Sequence, residues 1–544
     1  MSGPVSSHRF AHRSAWAAAL SLIVLAALAL RLPGIFWERG LPQAPPGFTF
    51  HPDEPKFVKQ IRFFDQKSPE GQGYVKGWAT HGYLLRALLQ RLFKTDEVNL
   101  ILLLRSLSLL YGLLTIVLVA WIGQHLFRDP ALGLWAAALL ALSGLHVMQS
   151  HFGTADAVSA FYFTLSAALA ARFERDRSEW VFAGFALAVG AALAIKFQLG
   201  LMPLAAWVCL RDERRWLRLL QAGLFIVAGF SIVSFFNYTP WELRDFYGML
   251  REDVRITERT GGLHLDLAFV PKSLVAGMGF GAAGLVLLGA WRLARQGISA
   301  ITARRPRWLG NPWTVWVIAG FSQYLLIANM DTRAPRQVLV LIPALCLVAA
   351  QGALRLCRAR RGGVGSWAVG ALLALLVAYQ GWYASQVARL DGQDPRFAAS
   401  QWLSTHIGPG ERVTAYFRYS KVPGAYPLTE ELADYILTTS TEYTRYLGRM
   451  DASEVFHGNS DAARLRFWNQ LFRGELGYEK VQEFTLPTPT PELWLASRQE
   501  LPGIGDWPGV GAFIPESVVI FKRRAAPQLR SPADAGAPQR RDGA

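Results

Sequence analysis

SAWAAALSLIVLAALALRLPGI, Ser14 to Ile35, is the stretch on which the fold turns. It carries no charge from Ala15 to Leu30, and about 20 consecutive apolar residues are what an α-helix needs to cross a bilayer. His8, Arg9, His12 and Arg13 precede it, a pattern shared by signal peptides and signal anchors, and Ala27-Leu28-Ala29 mimics a cleavage site. The apolar stretch runs on to Phe36 and Trp37 and further spans follow, so it reads as a retained membrane helix.

Composition extends that reading to the whole chain. Of 544 residues 52% are hydrophobic, with 19 Trp and 32 Phe, and the mean hydropathy is +0.20. Such content in long runs means a polytopic α-helical membrane protein, not a large soluble core. Further runs lie near 100–127, 131–147, 157–171, 181–195, 197–210, 219–236, 270–293, 313–330, 338–354 and 367–384. With the first they make about 11 transmembrane helices. The two short runs flanking Lys196 read as a broken pair, and Tyr83 to Phe93, interrupted by Arg86 and Arg91, as an interfacial helix on the membrane.

The formal net charge of +16 would suggest nucleic acid as a partner in a soluble protein. Here the basic residues cluster between apolar runs, which is an orientation signal, and nucleic acid is set aside. Arg128, Arg172 to Arg177, Arg211 to Arg218, Arg292 to Arg307 and Arg355 to Arg361 fall in alternate loops. All lie on the side of the N-terminus, which the positive-inside rule puts in the cytoplasm; an odd number of spans leaves the C-terminus outside. Cys209, Cys346 and Cys357 have no CxxC or Cys/His spacing, so neither a disulfide framework nor a thiolate metal site is supported.

Residues 1–384 therefore read as the membrane region, with a large first outer loop over 36–99. From 385 to 523 the composition is that of a soluble domain. WLSTHIGPGERVTAYFRY reads as helix, turn and strand, and ADYILTTS, YEKVQEF and SVVIFK as further strands of an extracytoplasmic α/β domain. Residues 524–544, rich in Pro, Ala and charge, read as a disordered tail.

Two places carry chemistry. FHPDEPKFV, Phe50 to Val58, puts Asp53 and Glu54 just beyond the first span, although Asp53 before Glu54-Pro55 would also cap a helix well. MQSHFGTADAVSAFYF, Met148 to Phe163, brings His151 and Asp156 out on the same face, where Asp156 has the same capping alternative. Lys196, costly in lipid, is expected to face a cavity or an acid.

The Asp-Glu pair in the loop after the first span, SHFGTADA with its Asp, the Lys of AIKFQLG and RQVLVLIPALCLVAA in a late span together resemble the GT-C membrane glycosyltransferases. The resemblance is to the glycosyltransferase family 39 and Rgt-like enzymes, which include protein O-mannosyltransferases, aminoarabinose transferases and lipopolysaccharide galacturonosyltransferases. It implies transfer of a sugar from a polyprenyl-phosphate carrier, usually with inversion, to a glycan, lipid or protein acceptor outside the cytoplasm. It makes Asp53 the essential acid, with Glu54 beside it and Asp156 as the acid of the second loop. The chemistry asks for such groups. An attacking hydroxyl must lose its proton to a base, opposite the leaving group in an inverting reaction. The departing lipid phosphate needs cations.

Lys76, Lys196, Arg333 and Arg336 are the basic candidates for substrate binding, with His51 and His151 beside the acids. The surroundings of Lys76 depart from the family's phosphate-binding pattern, and Arg333 and Arg336 would serve equally as snorkelling residues. His51 with Asp53 and Glu54 has metal-ligand chemistry, but the spacing matches no strong motif; no metal ligand is assigned and the cofactor is left open. The setting expected is a bacterial inner (plasma) membrane. A transporter or lipid flippase is the alternative; it predicts paired repeats with Gly/Pro-broken helices, which the sequence does not show. A non-catalytic scaffold would leave the acids without a role.

Overall fold

The computed structural model describes residues 5–38, 48–66, 77–94, 99–196, 198–234, 267–302, 311–329, 335–359, 364–415, 426–427, 433–440, 443, 459–497, 514 and 517–524. The chain divides into two compact units, Met1–Asp394 with Leu486–Ile514, and Pro395–Thr485 with Pro515–Ala544. Of the sequence expectations, Lys76, Arg333, and the tail after Arg524 lie outside the described residues.

The first unit is helical. It contains α1 (Val5–Arg31), α2 (Glu54–Gln66), α3 (Gly77–Phe93), α4 (Leu100–His125), α5 (Pro130–Ala141), α6 (Gly144–Gln149), α7 (Asp156–Asp176) and α8 (Glu179–Lys196). Then come α9 (Leu201–Leu210), α10 (Arg215–Ser234), α11 (Phe269–Met278), α12 (Phe280–Thr302), α13 (Pro312–Ala328), α14 (Ile342–Ala359) and α15 (Val364–Arg389). Short 3-10 turns cover Pro33–Phe36, Pro335–Leu341 and Asp391–Gln393. Among the described residues, six segments are long and apolar enough to cross a membrane: Ser14–Phe36, Leu100–His125, Glu179–Lys196, Arg215–Ser234, Pro335–Arg358 and Trp367–Arg389. Shorter apolar helices over 130–141, 201–210, 269–278 and 312–328 accompany them.

Local sequence explains where these helices begin. Asn99, Asp129 and Asn311 each accept a hydrogen bond from a backbone N–H of the turn they precede, at 3.1 Å, satisfying donors that a helix start leaves open. Pro130 and Pro312 follow two of them, in the position where a missing N–H costs nothing.

The run expected as one span over 270–293 is instead broken. Gly279, with a positive φ of 88°, ends α11 just before α12. Side chains take over the backbone bonding there. Tyr383 donates to the Ala276 carbonyl, Gln380 to that of Met278, and Ser143 to that of Gly277 at 3.0 Å. The Phe280 N–H goes to the buried Glu492 carboxylate at 2.9 Å, in the short helix Pro491–Ser497, which also accepts from the Tyr379 hydroxyl at 2.8 Å. In apolar surroundings a break survives only when its freed groups are satisfied in this way.

The α4 and α5 helices touch through glycine. A Cβ on Gly123 would lie 2.2 Å from the Gly133 Cα, so the helices are as close as backbones permit. Gly123→Val is expected to force them apart at a cost of about 1–3 kcal/mol, read as a lower melting temperature of the purified protein.

The second unit is built on a five-stranded sheet of order β2-β1-β3-β5-β4, with β1 (Val413–Ala415), β2 (Tyr426–Pro427), β3 (Tyr435–Thr439), β4 (Tyr478–Thr485) and β5 (Ser517–Arg523). The β1 strand pairs in parallel with β2 and β3, whereas β5 is antiparallel to β3 and β4. Alternation sorts its side chains. Tyr435, Leu437, Val518 and Ile520 cluster with Ala399 and Leu403 of α16 (Pro395–His406). Ile436, Val519 and Phe521 cluster with Trp468 and Leu471 of α17 (Asn459–Phe472). Two apolar faces on one small sheet require helices on both sides.

Candidate active site

The Thr49–Asp53 segment is held by its own side chains before α2 starts. Thr49 Oγ1 accepts from the His51 N–H at 3.0 Å, and His51 Nδ1 from the Asp53 N–H at 3.1 Å. Glu54 then occupies the first turn of α2, where the helix dipole favours an acid. Neighbouring residues at a helix start point about 100° apart. The two adjacent acids consequently serve different surroundings.

Glu54 turns inward and is fully buried. Arg105 of α4 donates to both of its oxygens, Nε to Oε1 and Nη2 to Oε2, each at 2.7 Å. The Thr49 hydroxyl donates to Oε2 and the Gly153 N–H to Oε1, the latter at 2.7 Å. The same guanidinium reaches the two oxygens of Glu38 at 2.6 and 2.8 Å and the Ile35 carbonyl at 3.2 Å. Burial works to raise the Glu54 carboxyl, but the Arg105 charge and hydrogen bonds outweigh it and hold it below the usual range. Glu54, expected as an acid beside Asp53, joins the first-span exit, α2, α4 and the loop before α7.

Asp53 stays at the edge, with its side chain 20% exposed. One oxygen takes Lys56 Nζ at 2.8 Å and the other Arg336 Nη1 at 3.1 Å. Burial would raise this carboxyl; the Arg336 charge and the Lys56 hydrogen bond prevail and hold it down to about 2. His51 is buried, which together with the Arg336 and Arg105 charges overcomes its acidic neighbours and lowers its imidazole to about 4. It is therefore neutral near pH 7 and serves to hold the Asp53 backbone.

Asp156 opens α7 and is nearly buried. Its carboxylate takes the Lys196 ammonium and, at 3.0 Å, the Thr154 hydroxyl. Lys196 is the last residue of α8, where the chain breaks before α9. The Arg336 charge also acts on Asp156, so the guanidinium carried by the Pro335–Leu341 turn lies within the field of both acids. Asp53 is thus paired with Arg336 and Asp156 with Lys196, and the Arg336 charge reaches both acids. Lys196→Met leaves Asp156 short of its cation and is expected to cost ~1–3 kcal/mol, measured as a drop in melting temperature that Asp156→Asn on the same background partly restores.

His151 has another partner. Its Nδ1 lies 2.5 Å from Asp391 Oδ2, and both side chains are buried. Among the described residues no group of three or more His, Cys, Asp or Glu side chains is arranged to hold a metal ion. Four members of these networks carry no mark in the sequence reading: Glu38, Thr49, Arg105 and Asp391. Only Arg105 had a usable signal, an arginine inside LILLLRSLSLLYG.

Residues 12–241 match the model of the family described as dolichyl-phosphate-mannose-protein mannosyltransferase. The N-terminal part of the chain is thus similar to that family. The match runs from the first span past α10 and includes Asp53, Glu54, Arg105, Asp156 and Lys196; Arg336 and Asp391 lie beyond it. No curated protein sequence matches the chain. Solved structures similar to it include ArnT from Cupriavidus metallidurans bound to undecaprenyl phosphate, at 15% identity and TM-score 0.44, covering 78% of this chain and 94% of that one. Another is the oligosaccharyltransferase AglB from Archaeoglobus fulgidus with an inhibitory peptide and a dolichol-phosphate, at 12% identity and TM-score 0.44, covering 94% and 89%. The apo oligosaccharyltransferase of that organism gives 12% identity and a TM-score of 0.48, covering 93% and 88%.

Proposed function

We propose that this protein is a glycosyltransferase that moves a sugar from a polyprenyl-phosphate carrier to an acceptor hydroxyl on the outer face of a bacterial inner membrane, with inversion. The observation that carries the reading is Arg336 paired with Asp53 while its charge also acts on Asp156, which Lys196 holds. A phosphate monoanion or diester needs cations, and an acceptor hydroxyl needs a carboxylate; this place offers both.

The acceptor oxygen attacks the anomeric carbon, and the bond from that carbon to the phosphate oxygen breaks, its electron pair leaving with the phosphate. Arg336 neutralises the charge that grows there. The acceptor proton passes to Asp53. While Arg336 and Lys56 stabilise its ionised form, Asp53 is a feeble base. A donor phosphate that draws the Arg336 charge to itself relieves this hold and raises the basicity of Asp53 when the acceptor arrives. Asp156, anchored by Lys196 and Thr154, adds its charge to the field at the same guanidinium. The sheet-bearing unit, on this reading, stands outside the membrane and binds the acceptor.

The test is a deletion strain complemented with the wild-type gene, its lipids, lipopolysaccharide and glycoproteins compared by mass spectrometry. A hexose, pentose or uronic acid mass that disappears on deletion and returns with the wild type supports transfer and names the acceptor. An unchanged set of glycans alongside a changed lipid-linked sugar pool would favour a transporter instead.

A further inference from the structure

The loop from Ser150 to Ala155 carries the chain into Asp156, and most of its polar groups are pinned on one side. Gly153 N–H goes to Glu54, Gly153 O accepts from Trp78 Nε1 at 2.9 Å, and Thr154 O from the Ser108 hydroxyl at 3.2 Å. Phe152 packs its ring against Trp37 and His51, with centroids 5.4 and 4.8 Å away. Fastened there alone, the loop could pivot about Gly153. His151, two residues earlier, is where a second fastening sits.

The imidazole of His151 is fully buried, and both ring nitrogens face oxygen. Nδ1 meets Asp391 Oδ2 at 2.5 Å and Nε2 meets the Leu30 carbonyl at 3.4 Å. Asp391, also buried, stands in the 3-10 turn just after α15. The pair is closed over by Gly34, where a Cβ would come within 2.1 Å of His151 Nδ1 and 2.5 Å of Asp391 Oδ2. Three separate parts of the chain, the exit of α1, the loop before α7 and the end of α15, therefore meet on one hydrogen-bonded pair. A His-Asp pair invites a catalytic reading, but this one has no nitrogen turned to an opening and no room for a reacting atom. What it controls is the loop.

We infer that Asp391 is a positioning residue of the transfer reaction: by gripping His151 it fixes the Ser150–Ala155 loop and, through it, the carboxylate of Asp156. This rests on the transferase reading for its effect on turnover, though not for its effect on the loop. A hydrogen bond within a buried cluster is what holds a loop in one of its possible arrangements.

The experiment compares the purified full chain with Asp391→Ala, Asp391→Asn and Gly34→Ala by amide hydrogen exchange, alongside sugar transfer in membranes at matched expression. In Asp391→Ala, exchange over Ser150–Ala155 is expected to quicken roughly 10-fold while α2 keeps wild-type rates, and transfer to fall by a similar factor. The Asn variant still presents an acceptor to His151 and should return both readings to within about threefold of wild type. Gly34→Ala, whose methyl is driven into the pair, should quicken the same loop, and it carries the test with Asp391→Asn where Asp391→Ala fails to accumulate. Wild-type exchange in Asp391→Ala or Gly34→Ala overturns the inference. So does an Asn variant as impaired as Ala, since the charge and not the grip would then matter. Because exchange needs no turnover, a wild type that transfers no sugar would defeat the proposed function and leave this measurement decisive.

Discussion

Asp53→Asn is expected to lower sugar transfer by about 10²–10⁴-fold, the usual worth of a general base, while the protein still inserts and folds. The substitution keeps size and shape and preserves one oxygen for either Lys56 or Arg336, which hold the two oxygens of Asp53 at 2.8 and 3.1 Å. It removes the group that takes the acceptor proton. Transfer should be followed in membranes with expression matched to wild type. Restoration of the full sugar mass by Asp53→Asn would show that this carboxylate only orders the start of α2, and would move the search for the base to Asp156. A second readout separates folding from chemistry. The carboxyl falls from an ordinary value of 3.8 to about 2 in the folded protein, so its ion pairs stabilise the fold above pH 3.8 and that contribution is lost as pH drops toward 2. The gap in melting temperature between wild type and Asp53→Asn should close through that window, whereas the gap in activity should be large at neutral pH.

The sequence made the membrane class legible, because a charge-free run such as Ala15 to Leu30, in a chain so apolar, has the length and composition that a bilayer demands of a helix. It also made legible the region around Lys196, since an ammonium between two apolar runs demands an acid or water, and the structure supplies Asp156. Other features had no local trace. Asp53 and Glu54 are neighbours in sequence with the same chemistry, and only the three-dimensional setting sends one to Arg336 and the other to Arg105. Asp391 lies 240 residues from His151, a distance over which no spacing rule acts. The break at Gly279 was hidden for a further reason: hydropathy reads straight through a glycine, and the side chains that stabilise the break come from Ser143, Gln380, Tyr383 and Glu492. Periodicity reports which faces are apolar; it is silent on which distant polar group will arrive to satisfy a freed backbone atom.

Arg105→Leu should be the most damaging single change to the fold. It leaves the carboxylate of Glu54, wholly buried, and that of Glu38, with its side chain 11% exposed, facing each other without a cation. Removing one partner of a buried pair costs about 3–5 kcal/mol, against a whole stability of about 5–15 kcal/mol. The purified variant is expected to melt about 5 °C below wild type or to fail to accumulate, since a unit of this size shifts by only about 1 °C per kcal/mol. Arg105→Lys should recover little: an ammonium can reach one of the two carboxylates, but not both together with the Ile35 carbonyl that the planar guanidinium serves at once. Glu54→Gln should be milder, since the amide oxygen still accepts from the Gly153 N–H and Arg105 keeps Glu38. The telling comparison is Arg105→Leu combined with Glu54→Leu and Glu38→Leu. With the stranded charges gone, the triple variant should melt above Arg105→Leu alone, because what destabilises the single variant is less the lost attraction than the two anions left without it. A triple variant that melts lower still would mean that the cluster contributes net stability, and that the attraction within it exceeds the cost of removing all three charges from water.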